Sequence, residues 1–409
     1  MTELEKKVLD LIDEDEVIAF LQALIRARSD YPPGDTRKIC QICLDKLHSC
    51  GIDAGLFTPP QQIKNPKDQY SSDLYPSVIG TIKGTGNGPV LLLNAHIDTV
   101  PAGDLSQWDH DPFGGELSDG MIYGRGAGDD KGSVCAQIMA ATMIKRANIP
   151  LKGTLLINPV SDEEANSCRG AKWLRDEGIL KPDLAIIGEQ TDNTIAVAER
   201  AVVFLRITIH GRACHGAMPW EGSNATIHMA DLIHALNTQL LPEVQQIKHK
   251  YLPSTTLSAT HIYGGHQVNV IPETCTLEID CRLVPGVSEG YILRSLDDIL
   301  CRLSEHGQRF QYEIEVTNSE NGVVTDTDPG HPLIQAMTTS LEEVTGRPAE
   351  LTGYKQASDG RVFAKLGIPI AIFGPGDPGL GHSPNEGIPV RQLLDATKAL
   401  ALSIVRILA

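Results

Sequence analysis

Four apolar runs of this chain each end within a few residues of side chains that can bind a metal ion. The runs, with the side chains that follow them, are residues 90–94 with His96 and Asp98, residues 154–160 with Asp162, Glu163 and Glu164, residues 183–187 with Glu189, and residues 368–373 with His382. Short runs rich in valine, isoleucine and leucine are typical of strands buried on both faces of a parallel α/β sheet. Because ligands of such sheets lie outside the carboxyl ends of the strands, we expect these distant residues to meet at one edge of a sheet.

The side chains gathered in this way are imidazoles and carboxylates, and the glycine-rich segment 123–132 adds Asp129 and Asp130. Without a cation, acids packed this closely would raise one another's pKa values and destabilise the fold. A donor set of nitrogen and oxygen without a thiolate favours zinc or a harder divalent ion. The sequence therefore predicts a metal-dependent hydrolase. A structural His-x-Asp pair and an acidic helix N-terminus are the simpler alternatives for some of the same residues.

Glu163 and Glu164 are neighbours and cannot readily serve one metal ion in the same way. One of them is therefore expected to be a ligand and the other a general base, and the residue types alone leave open which is which. Asp98 follows His96 by two positions, which suits a carboxylate that orients a metal-bound imidazole.

Composition and charge restrict the partners of this chain of 409 residues. Its formal net charge of −17 argues against a nucleic-acid partner. The first residues lack the layout of a signal peptide, and no run approaches the roughly 18 apolar residues of a membrane span, so a cytoplasmic protein without a membrane partner is predicted. The nine cysteines form no paired framework, and Cys40 and Cys43 are predicted to be buried in the core rather than to bind zinc.

Helical and strand patterns alternate up to residue 199, change character over residues 200–317, and resume over residues 318–409. The middle stretch has the order strand–helix–strand–strand–helix–strand, which is typical of a ferredoxin-like domain. We therefore predict an α/β catalytic domain, with a mostly parallel sheet and helices on both faces, interrupted by an inserted α+β lid domain. The edge strands and open face of the insert suit self-pairing, so a homodimer is expected. Residues 53–75 are predicted to be a surface excursion.

Five motifs carry more information than any single residue. They are His96-Ile-Asp-Thr-Val-Pro, Tyr123-Gly-Arg-Gly-Ala-Gly-Asp-Asp-Lys-Gly, Ser161-Asp-Glu-Glu, Gly188-Glu189 and Gly381-His382-Ser-Pro-Asn-Glu. In this order they resemble the dinuclear-zinc family that includes succinyl-diaminopimelate desuccinylase, acetylornithine deacetylase, aminoacylase and glutamate carboxypeptidase. The likeness covers nearly the whole chain, including the inserted domain.

The resemblance implies a pair of zinc ions, with cobalt or manganese as alternatives. It implies one ion held by His96 and Glu189, another held by Glu164 and His382, and Asp129 as the bridge, followed by a cis peptide bond. It assigns the general base to Glu163, the orientation of His96 to Asp98, and stabilisation of the oxyanion, usually from the partner subunit, to His215. Contacts with a substrate that carries a free carboxylate are assigned to Arg282, Asn269, Gly374 and Gly376.

The function predicted from these residues is hydrolysis of the amide bond of an N-acyl amino acid, with water activated between two metal ions. The alternatives within the same chemistry are an exopeptidase, either carboxypeptidase or dipeptidase, and a hydrolase of another C–N bond. From a different class, the chain could be a binding protein that keeps the fold without catalysis. Ser358-Asp-Gly-Arg361 is similar to the desuccinylases, whereas Gly353-Tyr-Lys-Gln-Ala departs from their pattern.

Overall fold

The computed structural model describes residues 1–66, 68–305, 309–319 and 323–409, which fall into two compact units. The first unit consists of Met1–Ala198, Asp326–Tyr354 and Ser358–Ala409, and the second of Glu199–Thr325 and Lys355–Ala357. The first unit is therefore discontinuous in sequence. The sequence pattern places the boundaries after residues 199 and 317, whereas the units change after Ala198 and after Thr325.

The first unit is built on one large sheet. In spatial order its strands are β1 (Asp53–Phe57), β2 (Ser77–Ile82), β6 (Thr154–Val160), β3 (Val90–His96), β7 (Leu184–Ile187), β17 (Ile370–Ile372), β8 (Ile195–Glu199) and β15 (Thr325–Asp326), and β16 (Leu351–Tyr354) pairs with β8. The central strands β6, β3, β7 and β17 are parallel, whereas β1, β2 and β8 join antiparallel to their neighbours. The predicted mostly parallel sheet is confirmed.

The register of the parallel strands brings the metal-binding side chains to one edge. His96 is opposite Val160 in β6, and Asn94 is opposite Ile187 in β7. The chain continues from these two positions to Glu163 and Glu164 in one case and to Glu189 in the other. The loops after three neighbouring strands therefore leave the sheet at its carboxyl edge, as the apolar runs predict.

Helices cover the sheet of the first unit. They are α1 (Glu3–Leu9), α2 (Glu14–Arg26), α3 (Arg37–Ser49), α4 (Lys131–Arg146), α5 (Ala171–Asp176), α9 (Pro332–Thr345), α10 (Gly360–Ala364) and α11 (Val390–Leu408). α4 is buried from Lys131 to Ile144 because its residues are mostly small or apolar, and it packs against α2 and α11. This central helix begins directly after Asp129 and Asp130, so it anchors the glycine-rich loop. Among the described helices, none combines the length and apolar character of a bilayer-spanning segment.

The predicted surface location of residues 53–75 is confirmed for most of the segment, whose described side chains are largely exposed or partly exposed, but it is wrong for two parts. β1 forms an edge strand of the large sheet, and part of the remaining segment is buried. Asn65 donates to the carbonyl of Ala165 at 2.5 Å, and the ring of buried Tyr75 lies 3.5 Å from the guanidinium of Arg169. Lys67 lies outside the described residues. The buried part of the segment therefore packs beside the loop that carries Glu163 and Glu164, and the rest lies at the surface.

A small antiparallel sheet joins two loops that are far apart in sequence. Its strands are β4 (Glu116–Ser118), β5 (Met121–Tyr123) and β18 (Gly387–Pro389), in the order β18-β5-β4. Gly387 is opposite Tyr123, and the N–H of Gly124 donates to the carbonyl of Glu386 at 2.8 Å. The segment after His382 is therefore held against the segment that leads to Asp129.

The second unit contains an antiparallel sheet with the strand order β11 (Thr256–Gly264), β13 (Thr274–Leu283), β9 (Ala201–His210) and β14 (Gln311–Ser319). The α-helices of the described part of this unit are α6 (Ala225–Ala235), α7 (Leu241–Val244) and α8 (Glu289–Glu305), and α6 packs on α8 and on β13. A short ribbon of β10 (Cys214–His215) and β12 (Val270–Ile271) completes it. Side chains of β9 alternate between buried and partly exposed, so one face of the sheet carries the core. This order is that of the predicted ferredoxin-like domain.

Core cysteines are confirmed for the one CxxC pair in the sequence. Cys40 and Cys43 lie on the buried face of α3, together with Ile39 and Leu47. Burial raises the pKa of the Cys43 thiol to about 12, which disfavours the thiolate that a zinc site needs.

Candidate metal centre

His96, the last residue of β3, is held from both sides of its ring. Its Nδ1 donates to the carbonyl oxygen of Asp98 at 2.9 Å, and its Nε2 lies 2.9 Å from Asp129 Oδ1. The carboxylate of Asp98 is 3.9 Å from the ring and instead accepts hydrogen bonds from the N–H groups of Glu163 and Glu164, at 3.2 and 3.1 Å. The hydrogen bond that orients the ring is therefore made by the Asp98 carbonyl, while the Asp98 carboxylate fixes the loop with the two glutamates.

Two groups of potential ligand atoms meet at the carboxyl edge of the sheet. One contains His96, Asp129 and Glu189, the other contains Asp129, Glu164 and His382, and within each group the ligand atoms lie within 4.8 Å of one another. Asp129 belongs to both, because its Oδ1 faces His96 whereas its Oδ2 lies 3.1 Å from His382 Nε2. This membership is the one that the resemblance implies. The Asp129–Asp130 peptide bond is cis, as expected.

The electrostatics of these groups favour a cation. Burial raises the pKa of Glu189 well above its ordinary value, raises that of Glu164, and raises that of Asp98 to about 8. Hydrogen bonds to Asp129 and Glu164 raise the pKa of His382 to about 10. The site thus holds more carboxylates than its imidazoles can balance. Its donors are nitrogen and oxygen atoms with no thiolate among the described residues of the two groups, so the residues fit a pair of divalent ions.

Asp162 does not add to the excess negative charge of the ligand groups. Its carboxylate is completely buried and accepts hydrogen bonds from the guanidinium and the N–H group of Arg169, at 2.6 to 3.0 Å. The expectation that a pair of divalent ions balances three adjacent acids is therefore corrected for one of them. Arg169 balances Asp162, and Glu164 belongs to a ligand group.

Glu163 belongs to neither group of ligand atoms, although it directly precedes Glu164 and, in addition to burial, its charge helps to raise the pKa values of Glu164 and Glu189. Its Oε1 is 3.2 Å from the guanidinium of Arg361, and both side chains are about nine-tenths buried. A permanent cation therefore holds this carboxylate in place. Arg361 stands in the Ser358-Asp-Gly-Arg segment, which gave a resemblance but no role for this side chain.

Arg125 and Glu386 form a buried ion pair that sequence reasoning did not find. Glu386 Oε1 accepts hydrogen bonds from the N–H groups of Gly128 and Asp129, each at 2.9 Å. Arg125 also donates to the carbonyl of Ser383 at 3.2 Å. The pair therefore joins the loop that carries Asp129 to the loop that carries His382. Its only sequence signal was that each residue lies inside a motif.

Two further side chains that sequence reasoning missed donate hydrogen bonds to the ligand groups. Gln190 Nε2 donates to Asp129 Oδ2 at 3.0 Å, and the hydroxyl of Tyr354 donates to Glu189 Oε2 at 2.7 Å. Gln190 directly follows a predicted ligand, which was the available signal. Tyr354 approaches from β16, more than 160 residues away in sequence, so no local pattern indicates it.

The two predicted glycines, Gly374 and Gly376, lie in the loop after β17. A different physical requirement favours glycine at each position. A Cβ on Gly374 would lie 2.2 Å from Ser133 Oγ and 2.5 Å from the carbonyl oxygen of Glu189. Gly376 has φ of +104°, which L side chains rarely adopt. Gly374 is therefore required by packing beneath Glu189, and the predicted contact of this loop with substrate stays a prediction.

The other predicted site residues lie in the second unit. His215 is exposed on β10, where it pairs with Val270, and the N–H of the following Gly216 donates to the carbonyl of Asn269 at 2.7 Å. Exposed Asn269 is thus adjacent to His215 in this unit. Arg282 on β13 forms an ion pair with Asp280, with Nε 2.7 Å from Oδ1.

Comparison with known proteins shows which family this chain resembles over most of its length. The sequence model described as Peptidase family M20/M25/M40 matches residues 92–406. The N-formyl-4-amino-5-aminomethyl-2-methylpyrimidine deformylase of Bacillus subtilis is 27% identical over 423 residues, which cover 97% of this chain and 95% of that protein. A succinyl-diaminopimelate desuccinylase of Cupriavidus necator is 28% identical over 387 residues, which cover 91% of this chain and 94% of that protein.

Among solved structures, a Bacillus subtilis protein described as a dinuclear metal-binding peptidase from the M20 family superimposes with a TM-score of 0.70. It is 16% identical in sequence, and the match covers 96% of this chain and 97% of that one. At this identity the likeness shows the fold. The two units observed here therefore correspond to an architecture already seen in that family.

Proposed function

Because this chain belongs to peptidase family M20/M25/M40, and is therefore a metal-dependent hydrolase of amide or peptide bonds, we propose that it removes the acyl group from an N-acyl amino acid. The observation that carries the proposal is the pair of ligand groups sharing Asp129, together with Glu163, which directly precedes Glu164 and belongs to neither group. The choice of a deacylase is supported by near-complete coverage of a deformylase and a desuccinylase.

In this proposal His96 and Glu189 hold one ion, Glu164 and His382 hold the other, and Asp129 holds both. When bound, two such ions lower the pKa of water toward about 7 and polarise the amide carbonyl. Zinc is the ion we propose, with cobalt or manganese as the alternatives.

Glu163 supplies the proton transfers that the reaction needs. Its carboxylate takes a proton from the attacking water and then delivers it to the leaving nitrogen, so the carboxylate ends the cycle as it began. Arg361, 3.2 Å from Glu163 Oε1, holds the carboxylate in one orientation through both proton transfers. The buried position of both side chains strengthens this contact relative to one in water.

The roles that the resemblance implies for the second unit are also proposals. An imidazole N–H such as that of His215 suits a developing oxyanion. The planar guanidinium of Arg282 and the amide of Asn269 suit the free carboxylate of the substrate. A homodimer and a cytoplasmic location stay predictions of the same kind.

A substrate panel with a matched pair of variants tests this proposal. Purified protein with added Zn²⁺, Co²⁺ or Mn²⁺ is assayed against N-formyl, N-acetyl and N-succinyl amino acids and against dipeptides. Glu163→Gln should retain two metal equivalents while kcat falls roughly 10²–10⁴-fold. Glu177→Gln, an exposed glutamate of the same unit, is the control and should leave kcat unchanged.

Near-normal turnover in Glu163→Gln would remove this residue as the base. Hydrolysis of dipeptides in preference to every acylated amino acid would replace the deacylase with an exopeptidase on the same site. Wild-type protein that takes up no more than trace metal would refute both.

A further inference from the structure

The two oxygens of Asp129 have different surroundings. Oδ1 lies 2.9 Å from His96 Nε2, and Oδ2 lies 3.1 Å from His382 Nε2. Only Oδ2 also accepts a hydrogen bond from Gln190 Nε2, at 3.0 Å. A donor that contacts one oxygen of a shared carboxylate acts mainly on the ligand group to which that oxygen belongs.

Gln190 is held tightly enough to act in this way. It is only 2% exposed, and it is enclosed by the backbone of three glycines. A Cβ on Gly381 would lie 2.5 Å from Gln190 Nε2, a Cβ on Gly128 would lie 3.3 Å from its Oε1, and a Cβ on Gly376 would lie 3.5 Å from its Cβ. The amide therefore packs against the residue before His382 while it donates to Asp129, so it contacts two parts of the same ligand group.

The direction of the amide is also determined. A carboxylate only accepts, so the nitrogen of the amide must face Asp129. Gln190 Oε1 is buried and has no hydrogen-bond partner among the described residues. A buried acceptor without a partner destabilises the fold, so its retention is explained better by the contact with Asp129 than by packing alone.

The other ligand group has its own donor. The hydroxyl of Tyr354 donates to Glu189 Oε2 at 2.7 Å, and Tyr354 is 4% exposed. Glu189 belongs to the group with His96 and is absent from the group with His382. In each ligand group, a ligand carboxylate thus accepts a hydrogen bond from a buried side chain that is not itself a ligand.

We propose that Gln190 is a positioning residue for one cation only, the one held by Asp129 Oδ2, Glu164 and His382, and that Tyr354 has this function for the other. The inference rests on the proposed dinuclear function. His382 is 53% exposed whereas His96 is 3% exposed, so the group around His382 has less packing of its own to fix its ligands. Partners that orient metal ligands typically contribute 10–100-fold in metal affinity.

Calorimetric titration of the metal-free protein with Zn²⁺ tests the inference, with Co²⁺ absorption as an independent count of occupied sites. Gln190→Met removes the donor and keeps the length of the side chain, and Tyr354→Phe is the matched removal from the other group. Wild-type protein should bind two equivalents. Each single variant should bind one equivalent with unchanged affinity and a second with affinity about 10–100-fold lower. Thermal melting of the metal-free variants checks folding, and Gln190→Leu replaces the Met variant if that variant does not fold.

The double variant decides whether the two donors act on different ions. If they do, both Zn²⁺ equivalents should bind with lower affinity to Gln190→Met/Tyr354→Phe than to the wild type. If only one of the two Zn²⁺ equivalents binds more weakly to the double variant, the assignment of one donor to each ion is wrong. It is also wrong if Gln190→Met leaves both affinities unchanged or lowers both. Wild-type protein that binds fewer than two equivalents would overturn the proposed function and this inference together.

Discussion

Glu386→Gln should lower both the stability of the first unit and its affinity for metal. The side chains of Arg125 and Glu386 are 2% and 0% exposed, so the variant leaves a guanidinium buried opposite a neutral amide. Removing one partner of a buried ion pair typically costs about 3–5 kcal/mol. The first unit exceeds the 150–250 residues for which about 2–4 °C per kcal/mol is typical, so the lower value of about 2 °C applies and the melting temperature should fall by roughly 6–10 °C. The N–H groups of Gly128 and Asp129 keep an acceptor, so the lost charge dominates.

Differential scanning calorimetry of the metal-free protein measures this change, and metal analysis after dialysis measures retention. Asp35→Asn is the control, because Asp35 and Arg37 form an ion pair with side chains 39% and 56% exposed. Exposed pairs contribute about 0–1 kcal/mol, so the control should melt within about 2 °C of wild type. If Glu386→Gln melts in the same narrow range as the control and keeps its metal, the assignment of this pair as the connection between the two loops is wrong.

Three further outcomes follow from the structure. The hydrogen bond from Arg146 lowers the pKa of Glu16 from 4.5 to about 2, so its stabilisation is complete above pH 4.5 and is lost as the pH falls toward 2. Glu16→Gln should therefore lower the free energy of unfolding at pH 7 by roughly 1 kcal/mol and have little effect near pH 2, which denaturant titrations at the two pH values measure. Because the pKa of His382 is about 10 without metal, metal binding at pH 7 should release at least one proton, and the metal affinity should increase as the pH rises. Calorimetric titration in two buffers of different ionisation enthalpy measures the number of protons released. Gly374→Ala should weaken metal binding, since its Cβ would lie 2.2 Å from Ser133 Oγ and 2.5 Å from the Glu189 carbonyl, and unchanged affinity in a Zn²⁺ titration would contradict this reasoning.

Much of the parallel sheet and its rim was predictable because the signal is local. His96, Glu164 and Glu189 each follow a buried run by a few residues, and parallel strands present such positions at one edge. The choice between Glu163 and Glu164 was not predictable from residue types. It needed the resemblance, and the structure then places only Glu164 within a ligand group.

The missed residues share a physical reason. Arg125 pairs with Glu386 across 261 residues, and Tyr354 donates to Glu189 across 165 residues. Contacts between side chains of distant segments depend on tertiary packing, which hydrophobic periodicity does not record. The same holds for residues 53–75, whose polar composition is typical of a loop although Asn65 and Tyr75 are buried.

Glu386 connects the loop that carries Asp129 to the loop that carries His382. This connection also determines when the metal centre can form during synthesis of the chain. His96 leaves the ribosome long before Glu386, and the second unit is made between them. Until the last tenth of the chain emerges, the acids around Asp129 have neither the Arg125–Glu386 pair nor the ring of His382 beside them. Nascent chains should therefore be unable to load both ions, and maturation with metal becomes a late, post-translational event.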